Sequence, residues 1–134
     1  MTDFTRLLKA LKHLDYSYKK VLKLSSNVKS LSTDQLEVWE AFVSRFARVS
    51  DIFLSKYIRT YVLKEDLAFR GSFRDFLDQA EKLGFIEKAQ DWMNIRELRN
   101  LSAHEYSEEK LTPLLEGLRL ETPRLLELKS IMAP

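Results

Sequence analysis

Leu36, Trp39, Phe42, Val43, Phe46, Val49, Phe53 and Tyr57 return at steps of three and four residues. Only a helix puts side chains with that spacing on one face, and a face this apolar must be covered on folding. Its start is marked as well. Ser32 suits an N-cap, Gln35 lies three residues on to complete a capping box, and Leu31 and Leu36 stand where a hydrophobic staple would close. The pattern predicts one long central helix running to about residue 63.

The remainder of the chain supplies helices to cover it. Phe4, Leu7, Leu8, Leu11, Leu14, Tyr18, Val21 and Leu22 predict an amphipathic helix from about residue 3 to 28, with lysines on its other face. Gly71 breaks the chain and Ser72 caps a third helix. Phe73, Phe76, Leu77, Ala80 and Leu83 form its inward side, and Gly84 takes its C′ position. A fourth helix over about 87–103 turns Ala89, Trp92, Met93 and Leu101 inward, and Ser107 is placed to cap a fifth. Thr112-Pro113 and Thr122-Pro123 both have the form of helix starts, so the C-terminal part is either one helix kinked at the prolines or two short ones in series. No strand pattern, repeat or linker interrupts this. Only 3 Gly and 3 Pro occur in 134 residues, which leaves few tight turns. The expected fold is all-α, an antiparallel bundle of about five helices forming one domain over 1–134.

Composition narrows the function classes. Apolar residues make up 45% and charged residues 31%, the profile of a folded soluble domain. There is no cysteine, so disulfides and thiolate metal sites are excluded. The two histidines are far apart and no Asp-x-Asp spacing occurs, so no metal site and no cofactor is expected. The N-terminus is charged within three residues and lacks the apolar core of a signal peptide. No stretch approaches the roughly 18 apolar residues of a membrane helix. A cytoplasmic protein without membrane attachment is the expectation. The formal charge of +2 is unevenly spread. Arg6, Lys9, Lys12, Lys19, Lys20, Lys23 and Lys29 face only Asp3 and Asp15 within residues 1–30, a patch that can attract phosphates or simply form a solvated helix face.

Of the two histidines, His13 lies on the lysine-rich first helix and reads as an exposed surface residue. His104 sits in Arg99-Asn100-Leu101-Ser102-Ala103-His104-Glu105-Tyr106, a polar run at a helix end that contributes little to a core. Asn100 and His104 are four apart and share a face. Arg99 and His104 are five apart, about 140° around an ideal helix, and converge only if the helix ends or distorts between them. Arg96 and Arg99 concentrate positive charge beside the imidazole. This is a phosphate chemistry. Guanidinium grips phosphate by charge-assisted bidentate bonds, imidazole gains and loses a proton near neutral pH, and an Asn amide can donate to a developing oxyanion. On RNA, an imidazole acting on the 2′-hydroxyl would cleave the chain without metal. Base and acid in one step call for a second imidazole, which a two-fold dimer would supply. The bare Arg–His spacing is weak: Arg6 and His13 match it too, without the following Asn or the Tyr two residues on. The same run also reads as an ordinary helix C-terminus with His at the negative end of the dipole.

Arg99-Asn100-x-x-x-His104-x-Tyr106 resembles the R-x4-H-x-Y signature of HEPN domains, the higher eukaryote and prokaryote nucleotide-binding family. The run from Arg70-Gly71-Ser72-Phe73-Arg74-Asp75 through Leu83-Gly84-Phe85-Ile86, then Trp92 and Arg96-Glu97-Leu98-Arg99-Asn100, is similar to the bacterial branch called nucleotidyltransferase substrate-binding proteins. The resemblance implies a helical bundle that dimerises through its motif helices, beside a minimal nucleotidyltransferase as antitoxin. It implies a metal-independent ribonuclease toxin with Arg99 and His104 as the catalytic pair, Asn100 as their polar support and Tyr106 as the tyrosine the partner adenylylates. Asp51 is the best match to an acidic residue on the long helix near the motif, or is simply a salt-bridge partner. The alternatives are a non-catalytic subunit that holds a nucleotide or substrate for a nucleotidyltransferase, and a general helical interaction domain.

Overall fold

The computed structural model describes residues 2–132, which contain no strand. Helix α1 (Asp3–Val21) starts at Thr2, whose hydroxyl accepts from the Thr5 N–H. It stops seven residues short of the expected end. After Val21 the apolar period fails, Leu22 is exposed, and Ser25, Ser26 and Asn27 offer short polar side chains that compete for backbone bonds. Ser25 Oγ accepts from the Asn27 N–H and Asn27 Oδ1 from the Lys29 N–H, leading into one 3-10 turn, Val28–Ser30.

The long helix starts at the predicted capping box, with Ser32 and Gln35 bonded in both directions. It comprises α2 (Thr33–Asp51), a π-helical stretch (Ile52–Tyr57) and α3 (Ile58–Glu65). The wide turns have a sequence cause. Val49, Phe53, Leu54, Ile58 and Val62 are all buried, and successive steps of four drift off a 3.6-residue period. The backbone widens to keep them inward, the Ile58 N–H bonding to the Phe53 carbonyl five residues back.

Helix α4 (Phe73–Lys82) begins at a second reciprocal box, Ser72 with Asp75, and ends at Gly84 with φ +80°, where a side chain would be strained. Helix α5 (Ala89–Leu101) follows, then α6 (Glu108–Leu126) and one last turn, α7 (Leu128–Ile131). The C-terminal alternative resolves to a single helix through Pro113 and Pro123. The residue before each proline bonds back to its own preceding turn: Thr112 Oγ1 donates to the Glu108 carbonyl and buried Thr122 Oγ1 to that of Leu118. Ser107 is the N-cap of α6 by position, but its side chain makes no capping bond.

Cross-bonds give the helix directions. Asp3 meets Thr60, Arg45 reaches the His13 carbonyl and Ser17, and Trp39 Nε1 donates to the Ser25 carbonyl. Helix α1 therefore runs antiparallel to the long helix. The Phe53 ring packs tilted against Trp92 while Asp51 meets Arg99, so α5 is antiparallel to it too. Trp39, Phe42, Phe46, Phe53 and Ile58 are fully buried, and one apolar cluster extends from Leu7 to Met132. The result is an all-α bundle, and the long helix is its axis.

Candidate functional site

Helix α5 turns Ala89, Trp92 and Ile95 into the core, which fixes where its polar residues point. The helix ends at Leu101, as convergence of Arg99 and His104 would require. The chain nevertheless keeps turning. The N–H groups of Ala103 and His104 bond to the carbonyls of Asn100 and Leu101, and Ser102 Oγ bonds to that of Arg99 at 2.6 Å. These 3-10 contacts hold His104 over Asn100 and do not bring it round to Arg99.

Two sets of groups therefore flank the terminus. On the outer face, Arg96, Asn100, Leu101 and exposed His104 line a groove of about 340 Å³. The Arg96 guanidinium lies 3.7 Å from the centre of the Phe73 ring, so α4 holds it by a cation–π contact, and no carboxylate pairs with it among the described residues. The Tyr106 ring is half-buried, edge-on to His104 with centroids 6.4 Å apart.

On the other side, Arg99 reaches across to α2. Its Nε and Nη2 bond to the two carboxylate oxygens of Asp51 at 2.8 and 2.9 Å, a side-on fork. That hydrogen bonding holds the guanidinium proton even more firmly than usual. Asp51 is thus the orienting partner of Arg99. The Nη1 amino group is left available, since the fork uses one edge only. Arg99 lines a hollow of about 480 Å³ with Arg48, Asp51 and Lys56, and an apolar one of about 420 Å³ with Val43, Ser44, Leu111 and Leu115.

The site residues thus divide: Asn100, His104 and Arg96 share one groove, Arg99 and Asp51 another, and Tyr106 stays with His104. Sequence reasoning did not single out Lys56 or Ser44. Their signal is helical spacing, since Ser44, Arg48, Ile52 and Lys56 stand at successive steps of four through Asp51's neighbourhood. His13 also departs from expectation. It is half-buried and shares a hollow of about 290 Å³ with Arg6, Lys9 and Arg48. Among the described residues no three imidazole or carboxylate groups gather closely enough to hold a metal ion, and no helix is long and apolar enough to cross a membrane.

No family model, curated protein or solved structure matches the chain. Its function is therefore read from the chemistry of these residues.

Proposed function

We propose that the chain is a metal-independent endoribonuclease of the HEPN kind, acting as a homodimer and restrained by a minimal nucleotidyltransferase. The observation that carries this reading is the outer groove of α5, where an accessible imidazole, an amide and an unpaired guanidinium stand together. His104 takes the proton of a ribose 2′-hydroxyl. The 2′-oxygen attacks the adjoining phosphorus, the bond to the 5′-oxygen breaks, and a 2′,3′-cyclic phosphate forms. Arg96 and Asn100 bind the phosphate as charge builds, and the Arg99 of a second copy, pre-oriented by its own Asp51, offers its Nη1 group across the dimer cleft. The same histidine of a second copy protonates the departing 5′-oxygen. Leu101, 40% exposed on this groove, gives the second copy an apolar anchor. Adenylylation of Tyr106 beside His104 would place a nucleotide over the imidazole and close the groove.

The test is cleavage of a single-stranded RNA by the purified chain and by His104→Ala. Wild type cuts and the variant does not, while both keep the same helical circular dichroism. Equal cutting of an all-2′-deoxy strand would rule the mechanism out, because its nucleophile is missing. One observation favours a second reading, the non-catalytic nucleotide-holding subunit: a single chain turns Arg99 away from His104. Protein that binds nucleotide and its nucleotidyltransferase yet never cuts RNA would establish that reading instead. Mass measurement after co-expression with the nucleotidyltransferase shows whether Tyr106 gains AMP.

A further inference from the structure

Three hollows adjoin one another on the outer side of the long helix. The apolar one between α2 and α6 shares Ser44, Ala47 and Arg99 with the hollow around Asp51. That hollow shares Arg48 and Ile52 with the one facing α1, where Arg6, Lys9 and His13 form the opposite wall. From Leu36 to Lys56 the trough follows the helix for about 30 Å. Its chemistry changes along the way. Leu36, Val43, Leu111 and Leu115 make one end apolar, and Arg48, Lys56, Lys9 and Arg6 make the rest cationic.

The acidic groups along it are few, and two are engaged. Asp51 is held by Arg99, and Asp3 lies 3.8 Å from Arg6. Glu40 stands at the apolar end. Lys9, Arg48 and Lys56 are exposed and have no ion pair among the described residues. Unneutralised cations in a row beside a hollow that accepts a flat apolar group match an extended polyanion with unstacked bases. A duplex has its bases buried and cannot use the apolar end. Arg99 lies where the apolar and cationic parts meet, which ties the trough to the terminus of α5.

We infer that this trough binds single-stranded RNA, seating one base between α2 and α6 and the following phosphates on Arg99, Arg48 and Lys56, with Lys9 and Arg6 flanking Arg48. The ligand class rests on the ribonuclease reading, but the binding surface is separate from the groove of His104. The basic N-terminal helix thereby acquires a role, because its Arg6, Lys9 and His13 fall at one face and flank the track at Arg48 and Ile52.

The experiment measures binding of a short all-2′-O-methyl oligonucleotide, which has no free 2′-hydroxyl to cleave, by fluorescence anisotropy over a range of salt. Lys9→Gln/Arg48→Gln/Lys56→Gln is expected to weaken binding roughly tenfold or more at low salt and to flatten the log–log salt slope by about 2. Ser44→Glu, which sets a carboxylate where two hollows meet, is expected to weaken it alone. The same sequence as a duplex binds less tightly than the single strand. A control that removes equal charge elsewhere, Lys82→Gln/Lys88→Gln/Lys110→Gln, leaves binding near wild type. Unchanged affinity and slope in the first variant, an equal loss in the control, or equal affinity for the duplex each overturn the track. Tight, track-dependent binding by a protein that never cuts ordinary RNA overturns cleavage and leaves the track standing. Cutting that survives with binding insensitive to these substitutions does the reverse.

Discussion

Arg119 shows how much one side chain can organise in a helical bundle. Its Nη1 donates to the carbonyls of Val21 and Leu24 at 2.9 and 2.8 Å, its Nη2 to Glu116 at 2.7 Å, and the guanidinium lies over Trp39. It therefore supplies a partner to the Leu24 carbonyl just past α1 and a second one to the Val21 carbonyl, which also accepts from the Leu24 N–H. Arg119→Ala is expected to lower the unfolding free energy by about 1–3 kcal/mol in chemical denaturation, because the part-buried Leu24 carbonyl is left unpaired. Nothing near Arg119 in the sequence announces the carbonyl bonds, since those partners are 98 and 95 positions away. Asp51 differs: the reading of it as a salt-bridge partner matches the observed fork to Arg99. Asp51 is 51% exposed, so its ion pair contributes little stability. Asp51→Asn should change stability by less than about 1 kcal/mol. It should nonetheless reduce RNA cleavage, chiefly through kcat, because Arg99 is no longer held in one orientation. An equal fall in stability and activity would mean that the pair is only structural.

The same division holds for whole elements. Helix limits with a local signal were legible: the Ser32–Gln35 capping box, the Ser72 cap and the Gly84 terminus stand where residue spacing puts them, while the Ser72–Asp75 reciprocal bond was not read from the sequence and Ser107 makes no capping bond. Ser32→Ala should destabilise by about 1 kcal/mol, the usual loss at an N-cap. Asp75 carries a pH dependence. Hydrogen bonds from the backbone and hydroxyl of Ser72 hold its carboxyl below the ordinary carboxylate range. A depressed folded pKa means that its contribution is complete above the unfolded value and fades as pH falls through the folded one. Thermal melts of Asp75→Asn should therefore lose less stability than wild type on going from neutral to acid pH. Glu116 behaves in the same direction, lowered first by the Ser26 hydroxyl and then by Arg119. Two features escaped the sequence pattern. The π stretch reads as ordinary helix because steps of four also fit a 3.6 period over a short window. The early stop of α1 depends on polar side chains bonding backbone, which apolar spacing does not register.

For the whole molecule, the binary pattern sufficed for the architecture because each helix has one apolar face and the long one has the widest. Phe46, fully buried on the axis, should destabilise the bundle by about 3–5 kcal/mol when changed to Ala. Assembly of the site was less legible. Spacing placed Asn100 with His104, but which way Arg99 turns was decided by a carboxylate 48 positions away. The trough along α2 combines four stretches of chain that no local motif connects. The central claim is that His104 drives attack by the 2′-hydroxyl, and the ends of the cut strands report it most directly. Mass spectrometry of the products of a defined RNA, digested with a metal chelator present, should find 2′,3′-cyclic phosphate and 5′-hydroxyl ends with wild type and none with His104→Ala. Products ending in 3′-hydroxyl and 5′-phosphate, or the same cyclic ends from the variant, would contradict it.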